Sequence, residues 1–575
     1  MFFHQTDSEL QALKERTEAP IWMTPIGYRT LLGSAAERGY LLDGETPKAL
    51  YLRLAKAAAK YLERADLEAE FFNILWQGWL GPSSPVLSNF GAERGLPISC
   101  YSAFCKDDMP SILSHVNEQA HLTWRGGGVA SHLSDLRGIG AQIKSGGVSN
   151  GILLPLSMLN SSISSISQNS MRRGSIATYL KVDHPDIKTF LHMREPEISA
   201  ERRFNKVHHA VVITEEWAHK LQARDAQALE TWQEILKLRV ETGEPYLLFE
   251  DAANRDNPPS YKRLGLQVNG SNLCSEVMLA TSELYTLVCC LSSLNLALYD
   301  DWKDTNTVEL AVYFLDAVMS EFIERAEGMV GLEKALAFAK NSRALGLGVM
   351  GFDSYLKSKM IPFDSEEAFN LNKEIFSGIS AKATKASIDL GRVYGVPDWC
   401  EEVQRRNTHL LAVAPTLTNA AVCGEVSRSI EPYESYAGFV DGAKGNFRYY
   451  NKYLETVLES HGLNNDLIWR SIAAHNGSVQ HLDFLTERER KVFRTARELD
   501  QSVLVRLAAE RGEYIDQGQS LNLFYNHEPD PAKVHADHWL AYKLGLKSLY
   551  YCKTANALKP QANVDYSTSE CKVCQ

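Results

Sequence analysis

The stretch Leu287–Leu298, LVCCLSSLNLAL, followed after a polar gap by Val308–Ala326, VELAVYFLDAVMSEFIERA, decides the fold class. The first run is short and apolar and reads as a buried strand. The second spaces Leu310, Phe314, Val318 and Phe322 by four, which lines one face of a helix. An apolar strand feeding an amphipathic helix is the unit from which parallel sheets are built. The alternation recurs outward from this point. His209–Thr214, Tyr246–Phe249 and Leu410–Ala414 read as further strands, as does the LPISCYSAFC run around Cys100. Upstream, Lys48–Leu80 carries helical spacing until Gly81-Pro82 stops it. The expected organisation is a helical region over 1–81, an α/β body over 82–555 and a polar C-terminal arm over 556–575.

Bulk properties narrow the function. The chain has 575 residues, 45% hydrophobic and 23% charged, as ordinary globular proteins do. Its net charge of −11 argues against a general nucleic-acid or membrane surface. No stretch approaches the roughly 18 apolar residues of a membrane span. The N-terminus, MFFHQTDSELQALKER, has no basic region followed by an apolar core, so a cytoplasmic protein is expected. Ten cysteines in a chain this long are not a disulfide scaffold; they read as free, redox-active or metal-binding.

Asn272-Leu273-Cys274-Ser275-Glu276 sets a thiol between a carboxamide and a carboxylate. If the string is extended, alternate side chains share a face, and Asn272, Cys274 and Glu276 meet at one spot. Such a trio can hold a polyol and perform proton and sulfur chemistry on it. At the C-terminus, Cys571-Lys572-Val573-Cys574 is a C-x-x-C pair suited to dithiol–disulfide exchange. A zinc site would need two more ligands, which the arm does not supply. Extended, the roughly dozen residues before Cys571 reach about 40 Å, enough to deliver a dithiol into a buried site. Cys289 and Cys290 are adjacent on a strand and face opposite ways. Tyr550 and Tyr551 stand side by side, either as packing or as a pair of redox-active phenols. Ala414–Ala421, APTLTNAA, follows a strand and suits a helix start whose free N–H groups bind phosphate. Two further polar loops cover Arg125–Gly138 and Ser167–Ser175, and no P-loop string is present.

Taken together, SCYSAF, NLCSE, CCLSSLNL, GLGVMGF (Gly346–Phe352), APTLTN with SIEPY (Ser429–Tyr433), LYY and the final C-x-x-C resemble the large, catalytic subunit of class I ribonucleotide reductase. The resemblance covers roughly residues 20–575. It implies a ten-stranded α/β barrel of two five-stranded parallel halves, with a central loop carrying the cysteine. It implies that Cys274 becomes a thiyl radical, that Glu276 and Asn272 handle the ribose hydroxyls, and that Cys100 and Cys289 are the reducing pair. Tyr550 and Tyr551 would pass the radical from a metal-containing small subunit, so this chain would need no metal of its own. Cys571 and Cys574 would relay electrons from thioredoxin or glutaredoxin.

Ser84, Ser99 and Pro415, Thr416, Leu417, Thr418 and Asn419 resemble the substrate-binding residues. Asp107, Arg137, Lys144, Arg172 and Arg173 resemble the site for dNTP or ATP effectors. The resemblance further implies diphosphate substrates, an effector-promoted homodimer and a short form without an N-terminal ATP-cone.

Overall fold

The computed structural model describes residues 18–33, 39–144, 146–166, 174–194, 204, 206–442 and 445–555. Five parallel strands form its most regular part. In spatial order they are Tyr246–Phe249, Val207–Ile213, Ile176–Lys181, Gly128–His132 and Cys100–Phe104. Their side chains are buried almost throughout, as expected of a parallel sheet covered on both faces.

A second parallel series follows the same logic with shorter pairings. Cys290–Asn295 pairs with Leu345–Met350. Leu347 then bridges Leu411, Val413 bridges Gln519, and Leu523–Tyr525 pairs with Cys552–Thr554. Two antiparallel seams join the series. Leu287–Val288 pairs with Tyr101–Ser102 at one side, and Ser548–Leu549 pairs with Leu247–Leu248 at the other. The curled sheet therefore closes into an α/β barrel of two parallel halves.

The Leu287–Leu298 run is not one continuous strand. It breaks at Cys289, resumes over Cys290–Asn295 and ends in a 3-10 turn over Leu296–Leu298. The break lies where the chain passes from one half of the barrel to the other. The helix after it, Thr307–Ala326, lies against the second half, and the Cys290 thiol contacts Leu315 O at 3.6 Å. Gly346 and Gly348 are required by close approach. A Cβ at Gly348 would stand 2.5 Å from Ala412 O, and one at Gly346 would stand 2.9 Å from Cys289 Sγ.

The N-terminal region departs from the single helix expected over Lys48–Leu80. Pro47–Tyr61 starts cleanly, with Thr46 accepting Ala49 N–H and Pro47 in the first turn. Glu63 then takes a left-handed φ of 51°, a 3-10 turn follows, and a second helix spans Glu68–Trp76. Gly81-Pro82 is not a loop after a helix. Leu80–Pro82 is extended and pairs antiparallel with Ser292–Leu294 at the sheet edge, where proline's missing N–H is tolerated. One continuous core runs through both regions, and a small second core gathers Tyr436, Leu454, Trp469, Ile472 and Phe493.

Candidate active site

The segment from Asn269 to Thr281 crosses the molecule without regular structure, and residues 270–281 are all buried. Buried irregular backbone must find partners outside a ladder. Here Tyr179, Gly518, Ser520 and Ser548 supply them. Tyr179 Oη donates to Asn272 O at 2.6 Å, and Gly518 N–H donates to Glu276 O at 2.8 Å. Ser520 Oγ lies 2.6 Å from Cys274 O, and Ser548 Oγ donates to Ser275 O at 2.6 Å. None of these four has a local sequence signal, because each lies far from the string it supports.

Asn272–Glu276 is a tight turn rather than the extended string expected. Ser275 has a left-handed φ of 65°, and its N–H donates back to Asn272 O at 3.3 Å. Asn272 and Glu276 nevertheless meet, because the turn folds one onto the other. Asn272 Oδ1 accepts Glu276 N–H at 3.1 Å, Val277 N–H at 3.2 Å and Ser271 Oγ at 3.1 Å. Two backbone donors on that oxygen settle the orientation of the amide. Its Nδ2 therefore donates to Glu276 Oε1 at 2.9 Å. The second carboxyl oxygen, Oε2, lies 2.9 Å from Ser520 Oγ. One hydroxyl proton faces two acceptors, Cys274 O and Glu276 Oε2.

Cys100 opens the Cys100–Phe104 strand, and Cys289 sits at the seam opposite it, with Cys289 N–H donating to Cys100 O at 3.4 Å. Both thiols are buried, and neither is in a disulfide. Burial pushes the Cys289 thiol well above its ordinary pKa, against the opposing hydrogen bond from Gln517 Nε2 at 3.7 Å. Cys290 points away, into the helix at Leu315 O.

Around this centre, Ser84 begins the helix Ser84–Asn89, with its Oγ 3.3 Å from Tyr40 Oη. Ser99 precedes Cys100 and is buried. Thr416 caps the short helix Leu417–Val422 from a left-handed φ of 55°, and its Oγ1 accepts Ser429 N–H at 2.7 Å. Asn419 Nδ2 donates to Gly81 O at 3.1 Å while its Oδ1 is buried without a partner. Pro415, Leu417 and Thr418 complete that loop.

Tyr550 and Tyr551 are both buried, with ring centroids 4.4 Å apart. Backbone bonds fix them: Tyr550 N–H donates to Leu521 O and Tyr551 N–H to Asn522 Oδ1.

At another edge of the barrel, Arg137 Nε donates to Asp107 Oδ2 at 2.7 Å, so two expected effector residues pair with each other. Lys144 is exposed beyond the Ile139–Gln142 strand of a hairpin. Arg172, Arg173, Cys571 and Cys574 lie outside the described residues. Among the described residues, no group of three or more His, Cys, Asp or Glu could hold a metal ion. No helix there is long and apolar enough to cross a membrane.

Fold and site together define an α/β-barrel enzyme built around a buried cysteine loop. The family model for the ribonucleotide reductase barrel domain matches residues 98–229, 215–404 and 396–552, and that for the ribonucleotide reductase all-alpha domain matches 34–95. A Frog virus 3 (isolate Goorha) protein, provisionally named ribonucleoside-diphosphate reductase large subunit, is 39% identical over 89% of this chain and 93% of its own. The large subunit of Invertebrate iridescent virus 3 is 33% identical over 86% and 88%. The solved alpha subunit of the Actinobacillus ureae class Id ribonucleotide reductase superposes with a TM-score of 0.86 at 36% identity, covering 93% of this chain and 98% of that one. The chain belongs to the ribonucleotide reductase family, as a large, catalytic subunit.

Proposed function

We propose that the chain reduces ribonucleoside diphosphates to 2′-deoxyribonucleoside diphosphates by thiyl-radical chemistry at Cys274. The observation that carries this reading is the buried turn that brings Asn272 onto Glu276 beside Cys274, with two reduced, buried cysteines, Cys100 and Cys289, at the neighbouring seam. The diphosphate assignment follows the names of the relatives from Frog virus 3 and Invertebrate iridescent virus 3.

The residues divide the work by their chemistry. Cys274, once oxidised to a thiyl radical, takes the hydrogen atom from C3′ of the ribose. Glu276 accepts the 3′-hydroxyl proton, with Asn272 holding the hydroxyls. The 2′-hydroxyl leaves as water after protonation by Cys100 or Cys289, and the pair closes a disulfide as it supplies two electrons. Cys274 then returns the hydrogen atom to C3′. High thiol pKa suits this role, since a buried neutral thiol is a proton and hydrogen donor rather than a standing thiolate.

Ser84, Ser99 and Pro415–Asn419 would hold the substrate, its phosphates meeting the first-turn N–H groups that have no intrahelical acceptor. Tyr551 and Tyr550 would bring the oxidising equivalent from a radical-generating small subunit. Cys571 and Cys574 would reset the disulfide with electrons from a thioredoxin-like protein. Asp107, Arg137 and Lys144, with Arg172 and Arg173, would read a dNTP or ATP effector. The helix Met109–Trp124, which begins just after Asp107, leaves Met109, Leu113 and Trp124 exposed along its length, which supports an effector-promoted homodimer across that face. We place the protein in the cytoplasm, where a thioredoxin-like reductant is available.

The test is turnover of the purified chain with class I small subunits, using ribonucleoside di- and triphosphates, with and without adenosylcobalamin. Deoxynucleoside diphosphate formation that requires the small subunit is expected. Turnover with adenosylcobalamin and no partner protein would overturn the reading.

A further inference from the structure

Tyr550 and Tyr551 do not form an isolated pair. Tyr246, the first residue of its strand, closes a triangle with them. Its ring centroid lies 4.7 Å from Tyr550 and 5.0 Å from Tyr551, nearly edge-on to the latter at 85°. It is fully buried. Its hydroxyl is buried beside the Tyr551 ring and makes no hydrogen bond among the described residues. Burial, with the neighbouring Tyr551 and Glu244, holds the Tyr246 phenol far above its ordinary pKa. It keeps its proton across any working pH.

The backbone that delivers Tyr246 is clamped on both sides. Glu244, two residues earlier, is buried, and its carboxylate is ringed by donors. Oε1 meets Arg194 Nη1 and, at 2.6 Å, His208 Nδ1. Oε2 meets His209 N–H at 3.2 Å and His209 Nδ1 at 3.0 Å. Between them, Pro245 O accepts from the buried Arg239 guanidinium. Gly243 O accepts Cys552 N–H at 3.0 Å, tying the segment to the residue after Tyr551. So many partners for four residues is more than a strand start needs. Their common effect is to hold the Tyr246 ring against the two phenols.

We propose that Tyr246 is a positioning residue for radical transfer, donating a hydrogen bond to the Tyr551 oxygen when Tyr551 is oxidised, with Glu244 and Arg239 fixing the strand start that carries it. The inference rests on the radical-transfer reading of Tyr550 and Tyr551. Tyr551 gives up one electron and its phenolic proton to the small-subunit oxidant. Its oxygen then has no proton to donate and becomes an acceptor only. The Tyr246 O–H, which has no other strong acceptor, contracts onto it; catalytic hydrogen bonds that are long at rest tighten in the reacting state. Tyr551 next takes a hydrogen atom from the Tyr550 hydroxyl, and Tyr550 takes one from the Cys274 thiol. Both phenols end closed-shell, and Tyr246 keeps its O–H throughout.

Tyr246→Phe removes the hydroxyl and keeps the ring packing. With the small subunit, substrate and effector present, kcat is expected to fall by at least about tenfold with KM unchanged. The second measurement is high-field EPR of a radical trapped at position 551 in a Tyr551→3-aminotyrosine variant. Adding Tyr246→Phe should shift its g-tensor in the direction of a lost hydrogen bond to the radical oxygen. A kcat within about twofold of the parent, or an unchanged spectrum, would overturn the proposal. If the unaltered enzyme forms no deoxynucleotide with any small subunit, the functional reading itself fails and the inference falls with it.

Discussion

Ser520→Ala would expose how the cysteine loop is held. Ser520 is buried, and its single hydroxyl contacts both Cys274 O at 2.6 Å and Glu276 Oε2 at 2.9 Å. An ordinary intramolecular hydrogen bond contributes about 1 kcal/mol net, and one to a charged group about 1.5–3 kcal/mol. Alanine also leaves two buried acceptors with one partner fewer, at about 1–3 kcal/mol for each that stays unsatisfied. The loss falls on the loop and not on the barrel strands, since Gly518 and Ser548 still hold it at Glu276 O and Ser275 O. The thiol and carboxyl therefore drift while the fold persists. Misplacement of reacting groups by about 1 Å can cost on the order of 100-fold in rate. We expect kcat to drop by about that factor, with KM and effector response little changed and the melting temperature lowered by a few degrees. Steady-state turnover with the small subunit, alongside a thermal melt, measures both. A kcat within about threefold of the parent would refute the reasoning.

Gly346→Ala should destabilise by about 1–3 kcal/mol, because the new Cβ would meet Leu291 Cδ2 at 2.5 Å and Cys289 Sγ at 2.9 Å; chemical denaturation and thiol titration of Cys289 check it. Glu244→Gln should cost about 3 kcal/mol, the lower end for a broken buried charge cluster because Arg194 is about a third exposed. Burial alone would raise the Glu244 carboxyl, but His208 and Arg194 outweigh it and hold it well below the usual carboxylate range. A depressed folded pKa stabilises above the unfolded value of about 4.3 and is lost as pH falls through the folded one, so the gap between parent and variant should close on acidification. Unfolding curves across pH test the sign. Cys571→Ser with Cys574→Ser should halt turnover after about one cycle unless a small dithiol is supplied, which single-turnover product counting would show.

Local pattern carried the parts of this molecule that depend on neighbours in sequence. The four-residue spacing after Leu310 became the helix Thr307–Ala326, and the Tyr246–Phe249 strand lies where its apolar run predicts. Opposite-facing cysteines followed from strand alternation, and the Cys290 thiol does turn into the helix. What local pattern missed depends on long-range partners or on a single dihedral. Ser275 adopts φ 65° because Tyr179, Ser520 and Ser548 pin the loop from elsewhere in the chain, so an extended reading of Asn272–Glu276 failed. Gly81-Pro82 reads as a breaker by itself and becomes an edge strand only because Ser292–Leu294 is there to pair with it. Glu63 splits the expected long helix at a residue with no breaker chemistry. The hydrogen bond from Arg137 to Asp107 joins residues separated by a helix and a strand, so no local pattern announces it.

The central claim is that Cys274 performs the chemistry. Cys274→Ser changes one atom in a fully buried position, and Asn272, Ser520 and Tyr179 hold the turn through backbone and carboxyl groups. The measurement is deoxynucleotide formation by this variant with the small subunit, substrate and effector, beside a thermal melt. The account predicts no detectable product and an unchanged melt. Substantial turnover by the folded variant would contradict it.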